Sequence, residues 1–180
     1  MNHKGTQTIT TERLILRRFT VEDAQEMFSN WASDDEVTKF LSWPTHGDVG
    51  ITKMLLENWV DSYAREDFYQ WAMELDGQLI GTISVVEQNP DVEMVEIGYC
   101  IGKAWWHKGF TSEALQAVLE YLLDEVGVRR VQARHDARNP NSGKVMAKCG
   151  MMYEGTLRQA NRNNQGICDV CMYSLLASQR

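Results

Sequence analysis

The spacing of hydrophobic and polar residues changes several times along the chain, and each change marks an element. In Thr8–Phe19, Leu14 and Leu16 alternate with Arg13 and Arg17, which predicts a strand. Thr20-Val21-Glu22-Asp23 reads as a helix-opening capping box, with Asp23 as a shorter relative of the usual Glu. Ala24, Met27, Phe28 and Trp31 then recur at i, i+3, i+4 and i+7, the stripe of a one-sided helix. Ser33-Asp34-Asp35-Glu36 repeats the cap signal before a short helix through Val37, Phe40 and Leu41. Pro44 and Gly47 interrupt. A longer helix is expected from Asp48 to Ala64, with Ile51, Leu55, Trp59 and Tyr63 along one face.

The pattern then turns strand-like. Phe68–Leu75, Leu79–Val86 and Val92–Ile101 are predicted strands, with Asp76-Gly77 as a tight hairpin turn and Asn89-Pro90-Asp91 as the second turn. Ala114, Leu115, Val118, Leu119, Leu122 and Val126 mark the strongest helix of the chain. Arg129–His135 is a further strand. Asn139-Pro140 has the form of an N-cap with Pro at the first helical position, and that helix ends near Gly150. Tyr153–Gln159 and Ile167–Leu175 close the chain as strands. This order predicts an α+β fold with a largely antiparallel sheet and one βαβ crossover around the long helix.

Composition narrows the function classes. At 180 residues, one domain spanning 1–180 is expected, large enough to bury its own core. No run of apolar residues is long enough to span a bilayer, and the opening MNHKGTQTITTER lacks the apolar segment of a signal peptide. A membrane role is therefore not expected, and a cytoplasmic location is. The formal net charge of −7 argues against nucleic-acid binding, which depends on neutralising phosphates, and favours cationic macromolecular partners. Of the four Cys, only Cys168 and Cys171 form a C-x-x-C, with no second pair at zinc-ligand spacing. Reduced thiols and no metal site are expected.

The segment richest in chemistry is Trp105-Trp106-His107-Lys108-Gly109-Phe110-Thr111-Ser112-Glu113-Ala114, between a strand and the strongest helix. A helix N-terminus offers unpaired N–H groups and a positive dipole end, which suit phosphate, and Gly109 permits close backbone approach. Taken alone, the segment equally fits an ordinary strand-to-helix loop. The Walker spacing is absent: Gly98 to Gly102-Lys103 is one residue short and lacks the following Ser or Thr. Neither G-x-G-x-x-G nor G-x-S-x-G occurs.

Four motifs in order carry a family resemblance. They are Glu96-Ile97-Gly98-Tyr99, then Trp106-x-Lys108-Gly109-Phe110-x-Ser112-Glu113-Ala114, then Asn139-x-x-Ser142-x-Lys144-Val145-Met146-x-Lys148-x-Gly150, then Glu154-Gly155. Together they resemble the GNAT superfamily of acetyl-CoA-dependent N-acetyltransferases. The opening Thr11-Glu12-Arg13-Leu14-x-Leu16-Arg17 is similar to the branch that acetylates N-termini of ribosomal proteins, and the resemblance runs from about Thr11 to Leu175. It implies a mixed, largely antiparallel sheet flanked by helices, with a V-shaped splay between the strand carrying Glu96 to Ile101 and the strand Arg129–His135. The pantetheine arm of acetyl-CoA would lie in the splay and bond the backbone near Cys100 and Ile101. Amides from His107 to Ser112 would hold the pyrophosphate. The superfamily pattern prefers Gln or Arg at position 106 and Gly or Ala at position 111, where this chain has Trp106 and Thr111.

The resemblance also implies roles for single residues. Glu96 is the candidate base, against the plainer reading of a solvated strand carboxylate; Glu93, three residues earlier, would face the opposite way. Ser142 is the candidate proton donor to the departing thiolate, against a residue that only bonds its own helix turn. Many superfamily members use a Tyr at the position of Met146, which cannot donate. Asn139 would contact the cofactor arm, and Lys144 would reach a CoA phosphate unless it is simply solvated. His107 would contact the anion and Trp43 would line the acceptor entrance, while His135, ending a strand beside Asp136, reads as structural or surface. The implied reaction is direct acetyl transfer from acetyl-CoA to a primary amine in a ternary complex. An α-amine of pKa about 8 is roughly one-tenth neutral at pH 7, whereas a lysine amine near 10.4 is neutral only about four times in ten thousand. An α-amine therefore needs little more than a group that takes one proton, and the motif order and the acidic net charge make a protein N-terminus, for example of a ribosomal protein, the expected acceptor. A small amine (polyamine, aminoglycoside or amino acid) and a non-catalytic acyl-CoA sensor are the alternatives. Relatives occur as monomers and dimers, so a homodimer stays open.

Overall fold

The computed structural model describes residues 1–179. Eight strands form one sheet: β1 (Ile9–Thr10), β2 (Ile15–Arg17), β3 (Gln70–Leu75), β4 (Gln78–Asn89), β5 (Met94–Ile101), β6 (Arg130–Asp136), β7 (Met152–Asn163) and β8 (Gly166–Leu176). Their spatial order is β1-β2-β3-β4-β5-β6-β8-β7, and every neighbouring pair is antiparallel except β5–β6. Five α-helical segments accompany them: α1 (Ala24–Met27), α2 (Asp35–Thr38), α3 (Val49–Ser62), α4 (Phe110–Glu120) and α5 (Pro140–Lys148). The parallel pair is the crossover expected around the long helix, α4.

The sheet is covered on both faces. On one face α4 and α5 pack over Leu16, Trp71, Ile83, Val95, Ile97 and Val131, and every position of the predicted α4 stripe is buried. Fully burying a Leu or Val side chain contributes about 1.5–3 kcal/mol, so this stripe outweighs any local helix preference. α4 loosens into a wider π turn over Tyr121–Val126 and stops at Gly127, whose φ is +74°. On the other face, Phe19, Met27, Trp31, Leu56, Leu79 and Cys100 form a second cluster under α1 and α3.

Several details depart from expectation. Thr8–Phe19 is a hairpin of two short strands: Thr11 and Leu14 close a turn between them, the Leu14 N–H donating to Thr11 Oγ1 at 2.9 Å. Arg13 thereby leaves the strand and is free to face α4. The buried residues of α3 are Thr52 and Leu56, while Ile51 is exposed, so the stripe is rotated from the predicted one. Asn139 precedes Pro140 as predicted, but its side chain does not cap the helix. Glu93 lies in a left-handed turn (φ +50°) before β5 and pairs with the Met1 ammonium at 3.0 Å, so it does not share a strand with Glu96. β7 extends well beyond the expected Gln159.

Two irregularities shape the centre of the sheet. β4 bulges at Val86, between the Val85–Ile97 and Glu87–Glu96 pairs. Beside it, a Cβ on Gly98 would lie 3.0 Å from Val86 Cγ1. Further along, a Cβ on Gly81 would lie 2.5 Å from the Cys100 carbonyl oxygen and 3.0 Å from Ile101 Cα, both backbone atoms that cannot swing aside. Gly81→Ala is therefore expected to cost about 2 kcal/mol. The measurement is a lowered urea midpoint with an unchanged slope.

Candidate active site

β5 and β6 pair through four rungs, from Met94–Arg130 to Ile97–Ala133, and then part. β5 runs on to Ile101 bonded to β4, and β6 runs on to Asp136 bonded to β8. The β6-facing backbone of Gly98–Ile101 therefore has no strand beside it. The gap opens at the carboxyl ends of both strands, where α4 and α5 begin, as expected for a ligand site in a parallel pair.

The head of α4 is a strained, anchored loop. His107 (φ +61°) and Gly109 (φ +83°) both adopt left-handed backbone, and Gly109 is the N-cap. The Glu113 N–H bonds the Gly109 carbonyl at 3.1 Å; the amides of Phe110, Thr111 and Ser112 precede it in the first turn, where helix geometry provides no acceptor. The Glu113 carboxylate accepts from Thr11 Oγ1 (2.6 Å) and from Arg13 N and Nε (2.7 and 2.6 Å). Burial works against its charge, but these donors hold its pKa below the usual range. Arg13 also donates to the Lys108 carbonyl (3.0 Å) and lies over the Phe110 ring. Arg13 Nη2 and Lys148 Nζ lie 3.3 and 3.9 Å from where a Gly109 Cβ would stand. Two cations, Arg13 paired with Glu113 and the exposed Lys148, thus stand near a helix N-terminus, a setting that favours an anion.

The expected cofactor residues divide by what their side chains do. His107 to Ser112 all lie at this loop, as the motif implied. The Trp106 indole is spent on the Ile101 carbonyl (2.9 Å) and the Lys108 ammonium on the Ala104 carbonyl (2.8 Å), so both brace the loop. Phe110 is buried in the main core. The Cys100 thiol lies in the second cluster, where burial pushes its pKa up to about 12; it is an inert packing group. Asn139, half-buried, stands at the head of α5, and Lys144, exposed, lies midway along it. His135 is buried, with Nδ1 on the Asp136 carbonyl (2.8 Å); that carbonyl can only accept, so Nδ1 carries the proton. Of the two expected readings, structural or surface, its burial favours the structural one.

Glu96 and Ser142 approach the splay from opposite faces. Val95 and Ile97 belong to the main core and Cys100 to the second, so strand alternation places Glu96 on the second face. Glu96 is 2% exposed, so it is no solvated strand carboxylate. Arg134 Nε donates to one of its oxygens (2.7 Å) and Gln132 Nε2 to the other (2.8 Å). Ser142 begins α5 on the main-core face, where the Tyr99 hydroxyl donates to its carbonyl at 2.9 Å. Met146 is buried in the core. Over the second face, the Asn164 amide donates to the Thr38 and Trp43 carbonyls (2.9 and 2.8 Å), tying the β7–β8 hairpin to the loop after α2. Trp43 stands there beside His46, whose pKa burial lowers.

Sequence reasoning missed Arg13, Gln132, Arg134, Lys148 and Tyr99 as parts of this site. Gln132 and Arg134 stand two apart on one strand and so share a face, a visible signal without a visible partner. Arg13 was hidden by its place in an apparent strand.

An acetyltransferase (GNAT) domain family matches residues 13–152. An uncharacterized N-acetyltransferase of Bacillus licheniformis is 30% identical over 172 residues, covering 94% of this chain and 96% of its own. A ribosomal-protein-serine acetyltransferase of Escherichia coli (strain K12) is 32% identical over 99 residues, 55% of each chain. Among solved structures, an acetyltransferase (GNAT family) from Bacillus anthracis has a TM-score of 0.83 at 25% identity, covering 96% of this chain and 99% of that one.

The strand edge left without a neighbouring strand and the amide-lined loop fit a pantetheine arm and a diphosphate respectively, although the Ile101 carbonyl already accepts from Trp106. Gly109→Val is expected to weaken coenzyme A binding at least about tenfold, because a branched residue resists the left-handed backbone that aims these amides. Isothermal calorimetry with coenzyme A measures it.

Proposed function

The chain belongs to the GNAT acetyltransferase family and is an acetyl-CoA-dependent N-acetyltransferase, and on that premise we propose that its acceptor is the N-terminal α-amine of a protein, such as a ribosomal protein. The likeness to the Escherichia coli ribosomal-protein-serine acetyltransferase supports this acceptor, and the net charge of −7 suits a basic one. One observation supports this mechanism: a buried carboxylate, Glu96, sits at the last rungs of the β5–β6 pair on one face, and a hydroxyl, Ser142, bonds Tyr99 on the other.

When bound, acetyl-CoA supplies an electrophilic thioester carbonyl and a thiolate leaving group. The backbone edge of Gly98–Ile101 and the amides from His107 to Ser112 hold it in line, with Asn139 and Lys144 at its flank. The acceptor amine enters on the side of Trp43 and attacks the carbonyl carbon as the neutral base. A C–N bond forms, the C–S bond breaks, and the amine proton leaves toward Glu96. Gln132 and Arg134 occupy one site on each carboxylate oxygen and leave further lone pairs for that proton. Since Glu96 is barely exposed, a bridging water is the route we assign. Ser142 gives the leaving thiolate a hydrogen bond.

The acceptor is tested by mixing the protein with acetyl-CoA and a panel of peptides and small amines while following thiol release. Release with free α-amino peptides, and none with the same peptides N-acetylated, is expected. Release with polyamines or aminoglycosides alone would transfer the reading to small amines. Glu96→Gln should lower turnover by about a hundredfold while leaving acetyl-CoA affinity within about threefold. Turnover equal to wild type from pH 6 to 9 would show that Glu96 is not the base.

A further inference from the structure

Past Ile97 and Ala133 the parallel strands share no rung, yet side chains still reach across: Arg134 from β6 to Glu96, and Tyr99 from β5 to the helix that follows β6. Tyr99, on the main-core side of β5, reaches the first turn of α5. Its hydroxyl donates to the Ser142 carbonyl at 2.9 Å, and the Ser142 hydroxyl donates back to the phenol oxygen at 3.3 Å. The same turn is pinned from its other side: a Cβ on Gly143 would stand 2.6 Å from His135 Nε2 and 3.1 Å from the Tyr173 hydroxyl.

The two bonds differ in kind. The shorter one fixes the backbone of Ser142. The longer one is a weak neutral contact that satisfies the serine hydrogen in the resting protein. A hydroxyl hydrogen rotates among nearby acceptors, and a bond to an anion is roughly twice as strong as a neutral one. As the C–S bond breaks and the sulfur becomes anionic, that hydrogen can leave the phenol for the sulfur at little cost. Only bonds that strengthen in the transition state accelerate a reaction, and this exchange is one of them. Burial raises the Tyr99 pKa, so the phenol stays neutral and keeps its own proton on the Ser142 carbonyl. Met146, buried in the core cluster that Tyr99 packs against, has no hydrogen to offer.

We infer that Tyr99 is the positioning residue of the leaving-group site: its phenol sets the Ser142 backbone and holds the Ser142 hydroxyl hydrogen until the thiolate forms. The inference rests on the role of Ser142 proposed above. It assigns the work of the missing α5 tyrosine to a tyrosine from the opposite strand acting through serine.

The test needs no acceptor. Wild type, Tyr99→Phe, Ser142→Ala and the double variant are each saturated with coenzyme A and titrated while the ultraviolet absorbance of the bound thiolate is followed. In wild type the bound thiol should ionise at lower pH than free coenzyme A. Each single variant should make it a weaker acid, by about threefold to tenfold, and the double variant should add nothing further. Coenzyme A affinity should stay within about twofold. A purely structural tyrosine would lower the melting temperature and leave the thiol's acidity unchanged. If Ser142→Ala shifts the thiol and Tyr99→Phe does not, or if the two shifts add, the inference is overturned and the Ser142 reading stands. If neither variant shifts it, the Ser142 reading fails and the inference with it. Should Tyr99→Phe not fold, wild-type protein with ring-labelled tyrosine gives the same decision. The Tyr99 ring-carbon NMR signal should move as the bound thiol ionises, and a stationary signal would refute the role.

Discussion

The parting of β5 from β6 is the constraint on which the rest depends. Parallel strands separate only where something makes continued pairing unfavourable, since each lost rung leaves backbone N–H and C=O groups without partners. Here the bulge at Val86 adds a residue to β4 at the rung where β5 leaves β6, bending and twisting the pair. Gly98 fits against that bulge because it has no side chain. The unpaired edge is thereby a built feature of the sheet, and an extended ligand can complete it by strand addition.

Around that gap the protein spends polar groups on rigidity. Glu113 binds the turn at Thr11 and Arg13 to the first turn of α4, so the loop at the head of α4 is held by the sheet edge as well as by its own helix. Trp106 and Lys108 bond carbonyls within the loop region. The left-handed conformations at His107 and Gly109 persist because these bonds over-determine them. Pre-positioned amides lose little on meeting an anion, which is how a chain of net charge −7 can keep a local anion site.

The two faces of the sheet divide the chemistry. Glu96 and its partners Gln132 and Arg134 lie on the face covered by α1 and α3, near Trp43 and the Asn164 clamp. Tyr99 and Ser142 lie on the face covered by α4 and α5. On the roles proposed above, proton removal from the incoming amine and stabilisation of the departing sulfur would fall on opposite sides of one thioester. This layout follows from strand alternation, because Glu96 and Tyr99 are three apart on β5 and must point opposite ways.

The sequence by itself determined most of the element order, the crossover around α4 and the place of the Gly109 loop at its head. Periodicity and caps are local, and the α4 stripe, the Asp76-Gly77 turn and Pro140 state them without any partner. Order of motifs likewise pointed to the family. What only the tertiary structure decided depends on contacts far apart in the chain. Thr8–Phe19 broke into a hairpin because Arg13 and Thr11 bind Glu113, a hundred or more residues away. The buried face of α3 was set by the sheet beneath it rather than by its own apolar stripe. Glu96 looked like any strand carboxylate until Gln132 and Arg134 arrived on the neighbouring strand. Tyr99 was one letter of a motif until the splay brought its phenol to Ser142. Local spacing reports which way a side chain points from its own element; only packing reports what it meets there.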